Sequence, residues 1–284
     1  MKKRLYAFLL LIPLVLGGCS TQFIYNNLDW LIHWYLDDYI ELNKSQKKQF
    51  DTKMQLWLNW HKKSELARYQ VQLEQIKNEI NEPVTTPGQW LHHTQQARQH
   101  WFRFRDTLSP DLLELAMELD NKQIHEFFAS LEQEIQEKLQ EWQQERNGLD
   151  QQGLLKRRTE EIIEKIKPWT GKLTGEQKQI VAWYSPQYQS SFRLFLQYRR
   201  TWQARAKALL LDRQSPDFKK HFLQLLTEPE RLRSPELKQL LAANHEIRAQ
   251  LMSNLHATLT PRQQKRLNRK LDNLIADLRE LQEE

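Results

Sequence analysis

Cysteine is almost missing from this chain: Cys19 is the only one in 284 residues. No disulfide can form within the chain, so stability must come from an apolar core. Glycine is also scarce. Beyond Cys19 there are only Gly88, Gly148, Gly153, Gly171 and Gly175, and no glycine-rich phosphate loop or Gly-x-Ser-x-Gly elbow can be drawn among them. Long apolar runs are missing too. The longest apolar stretch, Leu5 to Leu16, holds Pro13 and falls short of the roughly 20 apolar residues that span a bilayer. A strong charge of one sign is absent as well, with 42 basic against 36 acidic residues. A near-balanced chain lacks the basic face that a nucleic-acid partner would require, and none is expected. Finally, no alternating apolar run bounded by hairpin turns is found, so strands are not expected.

What is present starts at the first residues. Lys2, Lys3 and Arg4 precede the apolar stretch, and Leu16-Gly17-Gly18-Cys19 follows it. This is the layout of a secretory signal peptide over residues 1–18. The tetrapeptide resembles the lipobox of bacterial lipoproteins. The resemblance implies cleavage before Cys19 and lipid attachment to its sulfur. With Ser20 rather than Asp next, it implies an envelope address, the outer membrane facing the periplasm. The three leading cations leave with the signal, reducing the formal charge from +6 to +3. Roughly 265 residues remain as a helical periplasmic domain from 19 to 284, enough for one or two domains.

That domain reads as helix throughout. Glycine and proline gather at a few joints: 81–88, 108–110, 148–153, 168–175, 185–186, 215–216, 228–235 and 260–261. A sub-boundary is possible near 148–175. Between joints the apolar residues step by three and four: Leu66, Tyr69, Leu73, Ile76 and Ile80 in one stretch, Leu267, Leu271, Leu274, Leu278 and Leu281 in another. Such steps put them on one helical stripe. The expected fold is all-α, an elongated multi-helix bundle with long amphipathic helices, of which 43–80 and 110–147 would exceed 30 residues.

Four segments share one shape: Leu42-Asn43 to Gln46, Leu108-Ser109-Pro110-Asp111, Leu173-Thr174 to Gln177 and Leu259-Thr260-Pro261 to Gln263. Asn43, Ser109, Thr174 and Thr260 are expected N-caps, with Gln46, Gln177 and Gln263 at the capping-box position. The shape also resembles the Leu-Thr-x-x-Gln motif of small periplasmic stress chaperones. Across the whole chain, the runs Tyr25 to Leu31, Trp34 to Tyr39, Leu42 to Gln46 and Trp57 to His61 resemble a lipoprotein family of Gram-negative bacteria, domain of unknown function 6279. That resemblance extends from the lipobox nearly to the end and implies an all-helical lipoprotein. It implies no activity.

Asp37 and Asp38 are adjacent and point about 100° apart on a helix, so they do not converge as a catalytic pair. His93 and His100 share one face but lie about 10 Å apart, too far for one metal ion. His125-Glu126 and His245-Glu246 lack the second histidine of a zinc hydrolase. No catalytic residue, metal ligand or cofactor is expected. The aromatic block 23–42 could meet lipid head groups, but Asp29, Asp37, Asp38 and Glu41 favour burial in the core instead. The ten tryptophans and the alternating cation–ring runs Trp101 to Arg105 and Tyr198 to Trp202 are expected to stack internally. The expected function is that of a membrane-anchored envelope lipoprotein, a non-catalytic binding or scaffold protein. Its partners would be the membrane through Cys19, and an envelope protein, lipid or peptidoglycan. A chaperone-like helical protein and an envelope enzyme with an unrecognised site are the alternatives.

Overall fold

The computed structural model describes residues 24–283. Cys19 and the expected signal peptide lie outside the described residues. Among the described residues eleven α-helices occur and no strand. They are α1 (Leu28–Leu36), α2 (Lys44–Trp60), α3 (Leu66–Glu79), α4 (Pro87–Met117), α5 (Asn121–Gln144), α6 (Gln151–Thr170), α7 (Gly175–Tyr184), α8 (Phe192–Leu211), α9 (Phe218–Thr227), α10 (Pro235–Ala257) and α11 (Pro261–Glu283). A π-helical turn, His61–Glu65, fills the interval between α2 and α3.

The chain divides into two compact units, each built from separated stretches. The first takes the residues through 65, then 100–141 and 192–234; the second takes 66–99, 142–191 and the residues from 235 on. The segment 148–175 lies inside the second unit.

In the first unit the main core gathers Leu113, Ile124, Phe128, Ala206, Leu210, Phe218, Phe222 and Leu225. A second cluster holds Met54, Trp57 and Leu108, with Ile32, Phe50 and Phe104 packed against it. In the second unit Leu173, Val181, Tyr184, Leu251 and Leu255 form one core, ringed by Ile162, Ile163 and Ile166. There α3 also packs along α11. The leucine stripe of α11 behaves as its periodicity demands: Leu271, Leu274, Leu278 and Leu281 are all buried.

One expected helix start is corrected. Ser109 is not an N-cap and Pro110 does not open a helix; both sit inside α4. The expected helix 110–147 is therefore two helices, α4 and α5, parted at 118–120. Ser109 is fully buried and its hydroxyl donates to the Arg105 carbonyl at 2.7 Å, one turn back. Packing holds α4 together through the proline. Leu108 and Leu113 are buried on either side of it, and Asp111 takes hydrogen bonds from Lys53 Nζ (2.5 Å) and Trp57 Nε1 (2.8 Å). These contacts offset the roughly 3 kcal/mol that a proline costs within a helix. The break falls instead at Asp120, whose carboxylate accepts from Gln123 N at 2.8 Å while Gln123 Oε1 accepts from Asp120 N at 3.0 Å. This is a capping box with aspartate as cap.

Candidate functional site

The capping glutamines do more than cap. Gln46 and Gln123 are both buried in the first unit, and their amides face each other. Gln46 Nε2 donates to Gln123 Oε1 at 2.9 Å, and Gln123 Nε2 donates to Gln46 Oε1 at 2.7 Å. The second amide proton of each reaches the main chain ahead of the other's cap: Gln46 to the Glu118 carbonyl (2.7 Å) and Gln123 to the Glu41 carbonyl (2.7 Å). Each Oε1 also accepts from its own cap nitrogen, Asn43 or Asp120. Every donor of the two amides is thereby used, as burial requires.

The second unit repeats the arrangement. Gln177 Nε2 donates to Gln263 Oε1 at 2.8 Å, and Gln263 Nε2 returns the bond at 2.9 Å. Gln177 also donates to the Thr258 carbonyl (2.8 Å) and Gln263 to the Lys172 carbonyl (3.0 Å). In all four cases the acceptor carbonyl lies five positions before the partner glutamine. Thr174 and Thr260 are the caps, as their sequence indicated. Each knot ties two helix starts to one another; neither knot is aimed at solvent.

The most chemically dense cluster is the π turn of the first unit. Its wide ring sets His61 and Glu65 on the inner side, where both are buried. Interruptions of this kind concentrate at functional positions. Glu65 Oε1 accepts from Arg103 Nε at 2.9 Å, and its Oε2 from Arg103 Nη2 at 3.1 Å, a bidentate pair. His100 Nδ1 lies 2.5 Å from Arg103 Nη2 and 3.3 Å from Glu65 Oε2. Burial works against ionising Glu65, but the hydrogen bonds and charge of Arg103, and then His100, outweigh it and hold the carboxyl below the usual range.

His61 meets the Tyr25 hydroxyl at Nδ1, 3.1 Å away, and is ringed by Tyr25, Trp60 and Phe104. Burial among these rings pushes its pKa down to about 4, against a smaller opposing pull from Glu65. It is therefore neutral at pH 7. The cluster joins a neutral histidine, a tyrosine hydroxyl and a paired carboxylate in an apolar shell. Glu65, Arg103 and His100 are bonded to one another, the arrangement of a structural lock.

Two further buried histidines, His93 and His256, are held by hydrogen bonds. His93 Nε2 faces Glu79 at 3.1 Å. His256 accepts from the Thr85 backbone N–H at Nδ1 (3.2 Å) and donates from Nε2 to the Ile80 carbonyl (2.8 Å). Among the described residues no group of three or more His, Cys, Asp or Glu side chains is placed to hold a metal ion. The cation–ring runs turn inward only in part: Arg105 lies 4.7 Å from the Phe102 ring centre and pairs with Glu230 at 3.0 Å, and Arg233 from outside the runs covers the Tyr198 ring at 5.4 Å, whereas Trp101 is exposed and Arg200 pairs with Glu132 at the surface. Asp37 ends α1 as an exposed cap, and Asp38 next to it is exposed as well.

No helix among the described residues is long and apolar enough to cross a membrane. The family of unknown function DUF6279 matches residues 38–238. The chain belongs to this family. The match is shorter at both ends than the resemblance read from the residues, and includes the Gln46–Gln123 knot and the π turn. No curated protein and no solved structure matches the chain.

The sequence pointed to three of the four knotted glutamines, through the cap spacing. It missed Gln123, although Leu119-Asp120-Asn121-Lys122-Gln123 has the same spacing with aspartate in the cap position. The π turn was missed entirely. His61, Glu65 and Arg103 carry no proline, glycine or motif signal, and only the fold brings them together.

Proposed function

We propose that this DUF6279 protein is a lipid-anchored lipoprotein of the bacterial cell envelope, held by Cys19 and facing the periplasm, and that its helical units bind or scaffold an envelope partner without catalysis. The observation that carries the binding reading is the exposure of large apolar side chains, two on helices and one in a loop, beside a core that is already formed. In the second unit Trp183 is 73 % exposed, Val84 62 % and Val71 53 %. On α7 the core-facing positions Val181 and Tyr184 are filled, so Trp183 beside them is not waiting for a core. Exposed tryptophan is enriched where proteins meet partners.

The test is photo-crosslinking in living cells with a benzophenone amino acid at Trp183 and Val84. One or a few adducts of defined mass support a dedicated partner. The absence of any adduct at either position contradicts the binding reading.

A chaperone-like role is the second reading, favoured by the three segments Leu42 to Gln46, Leu173 to Gln177 and Leu259 to Gln263 and their resemblance to the periplasmic chaperone motif. It expects a broad ladder of adducts and suppression of aggregation of an unfolded client at equimolar protein. Failure to slow aggregation at tenfold excess would remove it.

A further inference from the structure

The aromatic helix α1 has two unlike faces. Its inner face is engaged: Ile32 packs against the Met54–Trp57–Leu108 cluster, His33 Nε2 meets Asp51 at 2.5 Å, and Tyr35 shares a 2.8 Å hydrogen bond with Tyr39. Its outer face carries Trp30 and Trp34, one turn apart, 63 % and 40 % exposed. Their rings stack at 6.4 Å with 14° between planes. The expectation that this block is core is thus met only in part: the inner side of α1 packs half-buried against the core, and the outer side is exposed. Two adjacent indoles held against water are costly to hydrate, and indole favours the boundary between hydrocarbon and head groups, where its ring is shielded and its N–H stays wet.

Chain length and charge identify the occupant. Only four residues lie between Cys19 and Ile24, the first described position, so the five chain steps reach at most about 18 Å. If Cys19 carries lipid, α1 is the helix tethered closest to the bilayer. Asp29, Asp37 and Asp38 are exposed beside the tryptophans. An anionic surface would repel them, whereas the ammonium of a zwitterionic ethanolamine head group would pair with them. We infer that the Trp30–Trp34 face of α1 seats on a zwitterionic phospholipid surface, orienting the protein on the membrane that its lipid holds. The inference rests on the lipoprotein reading above.

The experiment uses the full processed protein, purified from membranes and reconstituted into phosphatidylethanolamine–phosphatidylcholine vesicles whose acyl chains carry bromine near the glycerol. Wild type is compared with Trp30→Ser/Trp34→Ser, both checked by circular dichroism and by flotation with the vesicles. Two of ten tryptophans lie on this face. Wild type should lose about one-fifth of its tryptophan emission to the bromines and the variant almost none, with the difference shrinking when phosphatidylglycerol replaces the zwitterionic lipid. Equal fractional quenching in two floating proteins overturns the inference and leaves the anchor standing. If wild type carries no lipid and does not float, the anchor reading falls separately. The same comparison with excess vesicles then decides the tryptophan face, equal quenching again overturning it.

Discussion

Gln177→Ala removes one half of the knot in the second unit. Three losses follow directly. The Thr258 carbonyl loses its 2.8 Å donor, the Thr174 backbone N–H loses its 3.0 Å acceptor, and Gln263 loses both bonds to its partner amide. Gln263 is left partly satisfied, since its Oε1 keeps Thr260 N and its Nε2 keeps the Lys172 carbonyl. Gln177 is 1 % exposed, so water does not reach the site without rearrangement. Two orphaned backbone groups at about 1–2 kcal/mol each give an expected loss of about 3 kcal/mol. Urea unfolding followed by far-ultraviolet circular dichroism measures it, with the exposed neighbour Gln179→Ala as a control expected within about 0.5 kcal/mol of wild type. The pair adds a stricter test. If the two amides act together, Gln177→Ala/Gln263→Ala must cost clearly less than the sum of the single changes, by about 1 kcal/mol or more. A single-mutant loss below about 1 kcal/mol, or full additivity, would refute the knot as a joint element.

Four further outcomes follow from the same geometry. His61 is neutral and buried, so the unfolded chain binds more protons than the folded one between pH 6.5 and about 4; stability should fall by about 3 kcal/mol as pH drops through that window, and His61→Phe should remove that part of the slope in urea midpoints measured from pH 7 to 4. Arg103→Met leaves the Glu65 carboxylate buried without its bidentate partner and should cost about 3–5 kcal/mol by denaturant unfolding, whereas Arg103→Met with Glu65→Met should recover part of it; no recovery would contradict the pairing. Pro110→Ala should stabilise the fold by about 1 kcal/mol or more, because alanine restores an amide inside α4, and a neutral or destabilising result would return Pro110 to a helix start. Cys19→Ser should abolish labelling by radioactive palmitate and release the protein from membranes or trap its precursor; unchanged labelling would reject the anchor.

The features that could be read from the residues are the local ones. A cap is satisfied within four residues, so Asn43, Thr174 and Thr260 announced their helices, and the stripe from Leu267 to Leu281 announced its buried face. Ser109-Pro110 carries equally good local chemistry and was misleading, because the contacts of Leu108, Asp111 and Leu113 across the first unit decide that stretch. The knots could not be read at all: Gln46 meets Gln123 across 77 positions and Gln177 meets Gln263 across 86. Nor could the π turn, since nothing in His61 to Glu65 distinguishes it from ordinary helix. The Trp30–Trp34 face was half legible. Its aromatic content was plain, but which rings faced outward depended on how α1 docks.

Cys19 is the residue on which the proposed membrane attachment depends. Mass spectrometry of the N-terminal peptide, from protein extracted out of native membranes, tests it most directly. The account predicts a peptide that begins at Cys19 with a diacylglyceryl group on sulfur and an acyl chain on the new amino terminus. A peptide that begins at Met1, or one that carries Cys19 as a free thiol, would contradict it.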